Sequence, residues 1–142
     1  MDSLYSLGFL LNRASFSLAK MLRIELKRNN IELPHSQFIV LRCLYYKDGL
    51  SQQELATLLC KDAAAIKRTI DNLEDRGLVC RVHVSQRENA IQITEAGKVL
   101  MPAAIKCGDL ALEKVLQDIN ESDYELLKQL LQRIYSNVEE LK

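Results

Sequence analysis

The sequence predicts a mainly α-helical fold carrying one small β-hairpin, in a single domain of 142 residues. Three observations lead there. Apolar residues recur at helical spacing through most of the chain. A period-two alternation runs from Leu78 to Val84 and again from Ala90 to Thr94, split by the polar turn Ser85-Gln86-Arg87-Glu88-Asn89. Capping residues and glycines punctuate the helices between them.

The first helix is expected from Ser3 to about Asn30, with Leu4, Leu7, Leu11, Leu18 and Leu22 on one stripe, closed by Asn29-Asn30 and Pro34. A second starts at His35-Ser36, carries Phe38, Leu41, Leu44 and Tyr45, and ends at Lys47-Asp48-Gly49. Ser51-x-x-Glu54 is a capping box that opens a short helix with Leu55, Leu58 and Leu59 on its apolar face. After a break at Cys60-Lys61, Asp62 caps a fourth helix that buries Ile66, Thr69, Ile70 and Leu73 and stops at Gly77. The hairpin follows. Thr94 then caps a long helix from Glu95 to about Asp118, with a bend expected near Pro102 and Gly108. Ser122-x-x-Glu125 reads as a second capping box for a last helix striped by Leu127, Leu130, Leu131, Ile134, Val138 and Leu141. The order α-α-α-α-β-β-α-α places two short helices with a tight break directly before a hairpin. That is a winged helix-turn-helix, expected over residues 35–97, with helices of residues 1–33 and 98–142 left for dimerisation.

Bulk properties exclude several classes. Apolar content is 48% and charged content 27%, which is ordinary for a globular chain. No run of about 18 apolar residues is present, so no transmembrane helix or membrane partner is expected. Asp2 stands where a signal peptide would be basic, so the N-terminus is expected to belong to a mature, cytoplasmic chain. The four cysteines, Cys43, Cys60, Cys80 and Cys107, follow no metal-ligand or CxxC spacing and are expected to be reduced thiols. His35 and His83 lack acidic or thiol partners at ligand spacing, so no metal is expected. No nucleophile with a base and no glycine-rich phosphate loop is visible, so neither an enzyme nor a cofactor is expected.

The net charge is zero, yet it is unevenly spread: residues 61–87 carry a net of +2 and residues 99–142 a net of −3. Local sign matters more than the total, because phosphate is felt within roughly 10 Å at 0.1 M salt. The second helix of such a unit enters the major groove and reads base edges near its N-terminus. With Ile66, Ile70 and Leu73 inward, Ala63, Ala64, Lys67, Arg68 and Asp71 are the outward positions, and the capping residue Asp62 is a further candidate for DNA contact. Arg68 can give two hydrogen bonds to guanine or reach a phosphate, and Lys67 suits phosphate. Ser51 and Gln52 open the preceding helix on the same side. Arg87 at the hairpin tip is placed for the neighbouring backbone or minor groove, with Arg81 and His83 on one strand face as further phosphate contacts. Lys67, Arg68 and Arg87 taken singly are ordinary solvated charges; the conjunction with the element order points to double-stranded DNA.

From Leu50 to Gly97 the chain resembles the MarR family of bacterial transcription regulators. The resemblance rests on Leu50-Ser51-Gln52-Gln53-Glu54-Leu55-Ala56, on residues 66–79 from Ile66 to Val79, on Arg87, and on Ile93-Thr94-Glu95-Ala96-Gly97. Gln37-Phe38-x-x-Leu41 also fits, and the flanking helices match in length and order. One position departs: the family usually carries Asp two residues before the wing arginine, where this chain has Ser85. The resemblance implies a homodimer on a two-fold DNA site, with a pocket between the dimerisation and DNA-binding parts. In some members a small ligand or an oxidised cysteine there loosens DNA binding.

The residues support a dimer independently, because three leucine-striped helices offer more apolar surface than a winged unit of about 60 residues covers. A bundle closed within one chain is the alternative. Two recognition helices about 34 Å apart would require a pseudo-palindromic operator. Phe9, Arg13 and Phe16 on the first helix and Arg42 and Tyr45 on the second are candidates to line a pocket for a small aromatic acid; otherwise they are core aromatics and solvated arginines. Cys60, beside Lys61 near a helix N-terminus, is the candidate redox thiol. The expected function is a dimeric DNA-binding repressor released by a small ligand. The alternatives are a thiol-based redox regulator and a winged-helix protein-interaction module that does not bind DNA.

Overall fold

The computed structural model describes residues 3–85 and 88–141. A short 3-10 turn, Ser3–Tyr5, precedes six helices and three strands: α1 (Leu7–Arg28), α2 (His35–Tyr46), β1 (Leu50–Ser51), α3 (Gln52–Leu59), α4 (Ala63–Asp75), β2 (Val79–Ser85), β3 (Glu88–Ile93), α5 (Glu95–Val115) and α6 (Glu121–Glu139). The strands form one antiparallel sheet in the order β1-β3-β2. Phe38, Leu41 and Leu44 of α2, Leu55 of α3, Ile66, Ile70 and Leu73 of α4, Ile91 of β3 and Met101 of α5 are fully buried together. The core therefore sits where α2 and α5 meet the winged unit.

Three local expectations are corrected. The first helix does not run unbroken from Ser3: Ser6 is extended and the regular helix begins at Leu7. Its end is near the expected place, with Asn30 at φ 57, a left-handed turn that asparagine tolerates. The last helix is capped by Asn120, whose side chain accepts from the Asp123 N–H at 2.8 Å, not by Ser122. Asparagine is as good an N-cap as serine, so two overlapping signals competed and the earlier one holds. A third strand, β1, is present: Leu50 pairs with Ile91 and Ser51 with Ala90. Two residues are too short for alternation to register.

The loop before β1 is bound to the sheet by Asp48, whose Oδ1 accepts from the Ile93 N–H at 2.9 Å and the Gly49 N–H at 3.0 Å. α5 carries Pro102 and Gly108 inside one helix. Its first turn sits hard against the start of β2: a Cβ at Gly97 would lie 2.5 Å from the Leu78 carbonyl oxygen and 2.6 Å from Ile93 Cγ1. Thr94 makes this seat, donating its hydroxyl to the Gly77 carbonyl at 2.7 Å and accepting from the Gly97 N–H at 3.2 Å.

α1 packs along α5 and brings one acid inside. Glu25 is buried, paired with Lys114 and with Arg28 at 3.4 Å. A buried carboxylate is tolerated only with such partners. By contrast, α6 has no buried side chain, and its Leu127, Leu130, Ile134 and Val138 are exposed, as are Leu4, Leu7, Leu10 and Leu18 at the other end. No described helix is long and apolar enough to cross a membrane.

Candidate nucleic-acid interface

Local chemistry builds the two helices of this site. Ser51 Oγ accepts from the Glu54 N–H and the Ser51 N–H donates to Glu54 Oε1, both at 3.1 Å, which completes the capping box. α3 ends on Cys60 in the left-handed region at φ 55, and the Lys61 N–H returns to the Ala56 carbonyl at 3.0 Å. That reversal is the tight break. Asp62 Oδ1 then accepts from the Ala65 N–H at 2.7 Å and starts α4. Arg76 and Gly77, at φ 72, end it.

Burial on α4 follows the periodicity. Ile66, Thr69, Ile70 and Leu73 are buried, and Ala63, Ala64, Lys67 and Arg68 are exposed. The exposed face has a low alanine end, which lets a helix approach the groove floor. Arg68 has no hydrogen-bond or ion-pair partner among the described residues, so its guanidinium is available to an incoming acceptor. Lys67 is 3.0 Å from Asp71 Oδ2, an exposed pair of one helical turn.

Two expected DNA contacts are placed differently. Arg81 was expected to reach phosphate from the wing; it is instead turned back onto α4. Its Nη2 donates to Asp71 Oδ1 and its Nη1 to Glu74 Oε1, both at 2.6 Å, and its Nε donates to Gln52 Oε1 at 3.2 Å. Asp71 is accordingly engaged between Lys67 and Arg81 instead of facing out unpaired. Hydrogen bonds from those two cations hold its carboxyl below the ordinary 3.8. Strand alternation explains the direction: Val79 and Arg81 share a face, and Val79 is buried under α4. His83, further along, meets Asn89 Oδ1 at 3.2 Å. Arg87 lies outside the described residues.

The ligand candidates do not converge. A cavity of about 490 Å³ lies between α1, α2 and α5, with Leu18, Leu22, Phe38 and Ile105 on its apolar wall and His35, Arg42, Tyr46 and Asp109 as its polar groups. Of the five residues expected, Arg42 alone lines it. Arg13 and Phe16 line a separate hollow of about 680 Å³ with Lys20 and Ile24. Phe9 packs edge-on to Tyr5, and Tyr45 edge-on to Tyr46. The reason is helical phase: Ser15, Leu18, Ala19 and Leu22 turn toward the cavity, and Phe9, Arg13 and Phe16 lie on another face of α1. Sequence reading missed His35 and Tyr46, although the spacing 35, 39, 42, 46 put them on one face of α2 with Arg42. Burial, then the charges of Lys61 and Arg42, lower the His35 pKa from its usual 6.5.

Among the thiols, Cys60 is exposed, whereas burial pushes Cys43 and Cys107 up. Among the described residues no cluster of three His, Cys, Asp or Glu side chains could hold a metal.

A capped two-helix unit with a tight break, backed by a three-stranded sheet, defines a winged helix-turn-helix protein. The MarR family profile matches residues 33–86. The transcriptional regulator HosA of Escherichia coli is 28% identical over 128 residues, covering 87% of this chain and 95% of the relative. CouR from Rhodococcus jostii RHA1, solved bound to p-coumaroyl-CoA, is 26% identical with a TM-score of 0.83, covering 94% of this chain and 95% of that one. A MarR-family regulator from Listeria monocytogenes solved with a 26mer DNA shares the fold at a TM-score of 0.84 and 24% identity, over 94% of this chain and 89% of that one. Residues 33–86 thus match the MarR family domain, and over most of its length the chain is similar to transcriptional regulators.

Proposed function

We propose that the chain is a homodimeric repressor that binds a pseudo-palindromic operator and leaves it when a small anionic, aromatic ligand enters the α1–α2–α5 cavity. The observation that carries the DNA reading is α4 itself: a capped helix with Ala63, Ala64, Lys67 and Arg68 exposed on one face and Arg68 unpaired among the described residues. In this reading Arg68 reads a base edge, Lys67 and the wing residue Arg87 meet phosphate, and Ser51 and Gln52 lie at the edge of the interface. The dimer reading is supported by the leucine faces of α1 and α6, which are exposed among the described residues. The ligand reading is supported by His35, Arg42 and Tyr46 on one wall of an otherwise apolar cavity, and by the ligand that CouR holds. The place of action is the cytoplasm, with the chromosome.

A mobility-shift assay on the DNA upstream of the chain's own gene, at two salt concentrations, tests this. With about eight phosphate contacts per dimer, affinity falls with salt at a log–log slope near −7 and the shift survives competitor DNA. No specific shift at either salt overturns the DNA reading in favour of a protein-contact module. A second reading rests on Cys60, which is exposed two residues before the α4 cap. Oxidation there would crowd the DNA face; release of DNA by peroxide that the Cys60→Ser variant resists would establish it.

A further inference from the structure

The DNA-facing side holds an ion-pair cluster whose centre is Arg81. Its side chain is 20% exposed and, from β2, engages two helices at once. Both terminal nitrogens donate at 2.6 Å, to Asp71 and Glu74 of α4, and Nε donates to Gln52 of α3. Glu74 is gripped twice by the same residue, because its Oε2 also accepts from the Arg81 backbone N–H at 3.3 Å. Charge-assisted arginine–carboxylate pairs of this length are directional as well as strong. The four charges Lys67, Arg81, Asp71 and Glu74 cancel, so the cluster as a whole adds orientation and little attraction for phosphate. Withdrawing Arg81 to a phosphate would leave Glu74 without its cation and Asp71 with Lys67 alone.

We propose that Arg81 is a positioning residue: it clamps the wing and α3 to the recognition helix, so that the three move as one reading head, and it makes no DNA contact itself. The joint it spans is narrow. Between Asp75 and Val79 the chain turns through Arg76, Gly77 at φ 72 and Leu78, and the clamp closes across that turn from β2 to α4. Free of the clamp, the wing would sample several angles to α4, and base reading would suffer while general attraction to DNA persisted. This inference rests on the DNA-binding reading above.

The experiment uses the full chain, an operator duplex that the wild type enriches from a random pool, and a scrambled duplex of equal length and composition. Binding is followed by fluorescence anisotropy at several salt concentrations. Arg81→Met is expected to lower the operator-to-scrambled affinity ratio by about tenfold, with the salt slope on scrambled DNA unchanged. Glu74→Gln is expected to lower the ratio too, although it removes a negative charge from the DNA side and on charge alone should tighten every duplex. A loss of stability without repositioning would change the melting curve and leave the ratio intact. Arg81→Met weakening both duplexes equally, with the slope reduced by about one unit, would make Arg81 a phosphate contact and overturn the clamp. Glu74→Gln tightening both duplexes at a constant ratio would overturn it as well. Should Arg81→Met fail to fold, the half-exposed Glu74 site carries the test alone. A wild type that enriches no duplex overturns the DNA-binding reading itself, and the clamp with it.

Discussion

Arg68 and Arg81 both lie on the side of the molecule proposed to face DNA, and their surroundings are opposite. Arg68 is exposed and unpaired among the described residues; Arg81 has three partners on two helices. Arg68→Ala is expected to weaken operator binding by roughly 1–3 kcal/mol and to relax preference at one base position. A titration showing wild-type affinity for the operator would remove α4 from the groove. His35 carries a second residue-scale prediction. Its folded pKa is below 6.5, first because it is partly buried and then because Lys61 and Arg42 are cationic neighbours. The unfolded chain therefore binds the proton more readily than the folded one. Stability is full above about pH 6.5 and falls as pH drops through the window down to the lower folded value. Urea melts at pH 7.5 and pH 5 should show this loss, and His35→Gln should reduce it. An anionic ligand in the cavity would raise the His35 pKa, so its affinity should increase as the pH falls through the same window.

At the scale of elements, the junction between wing and α5 holds the one glycine position where a side chain has no room. Gly97 is the third residue of α5, and a methyl group there meets a backbone oxygen at 2.5 Å, which a rotamer change cannot relieve. Gly97→Ala is expected to destabilise the chain by about 1–3 kcal/mol, as overpacking does, measurable by thermal or denaturant melting. Gly108 contrasts with it: a Cβ there meets Phe38 Cζ at 3.6 Å, an ordinary contact, so Gly108→Ala should be well tolerated. Elements also show where sequence reading worked. Ser51, Asp62 and Thr94 cap as their spacing implies, because each bond closes over three residues. The Asn120 cap was missed for the same local reason, a stronger-looking serine motif two residues on. β1 was missed because it exists only by pairing with β3, some 40 residues away in the chain.

The whole molecule leaves two leucine faces open, one on the N-terminal part of α1 and one along α6. They lie at the two ends of the sequence and are what a two-fold partner would cover. Replacing Leu131 with Glu and Ile134 with Lys is expected to give monomers by sedimentation, and with them a large loss of operator affinity, because two half-sites are then bound singly. An intact dimer would place the interface elsewhere. The same leucine stripes were legible in the sequence; that α6 buries none of its side chains against its own chain was not. Periodicity reports that a face is apolar, not what lies against it.

Sequence alone determined the six helices and the hairpin in their order, the Ser51, Asp62 and Thr94 caps, the inward face of α4 and the exposure of Lys67 and Arg68, since these follow from bonds and periodicities within a few residues. The tertiary structure decided the rest: that Arg81 turns to Asp71 and Glu74, that His35 and Tyr46 join Arg42 in one cavity, that Phe9, Arg13 and Phe16 face elsewhere, and that Glu25 is buried against Lys114. Each of these depends on how helices and strands distant in sequence are rotated against one another, and that rotation is set by the packing of the whole core.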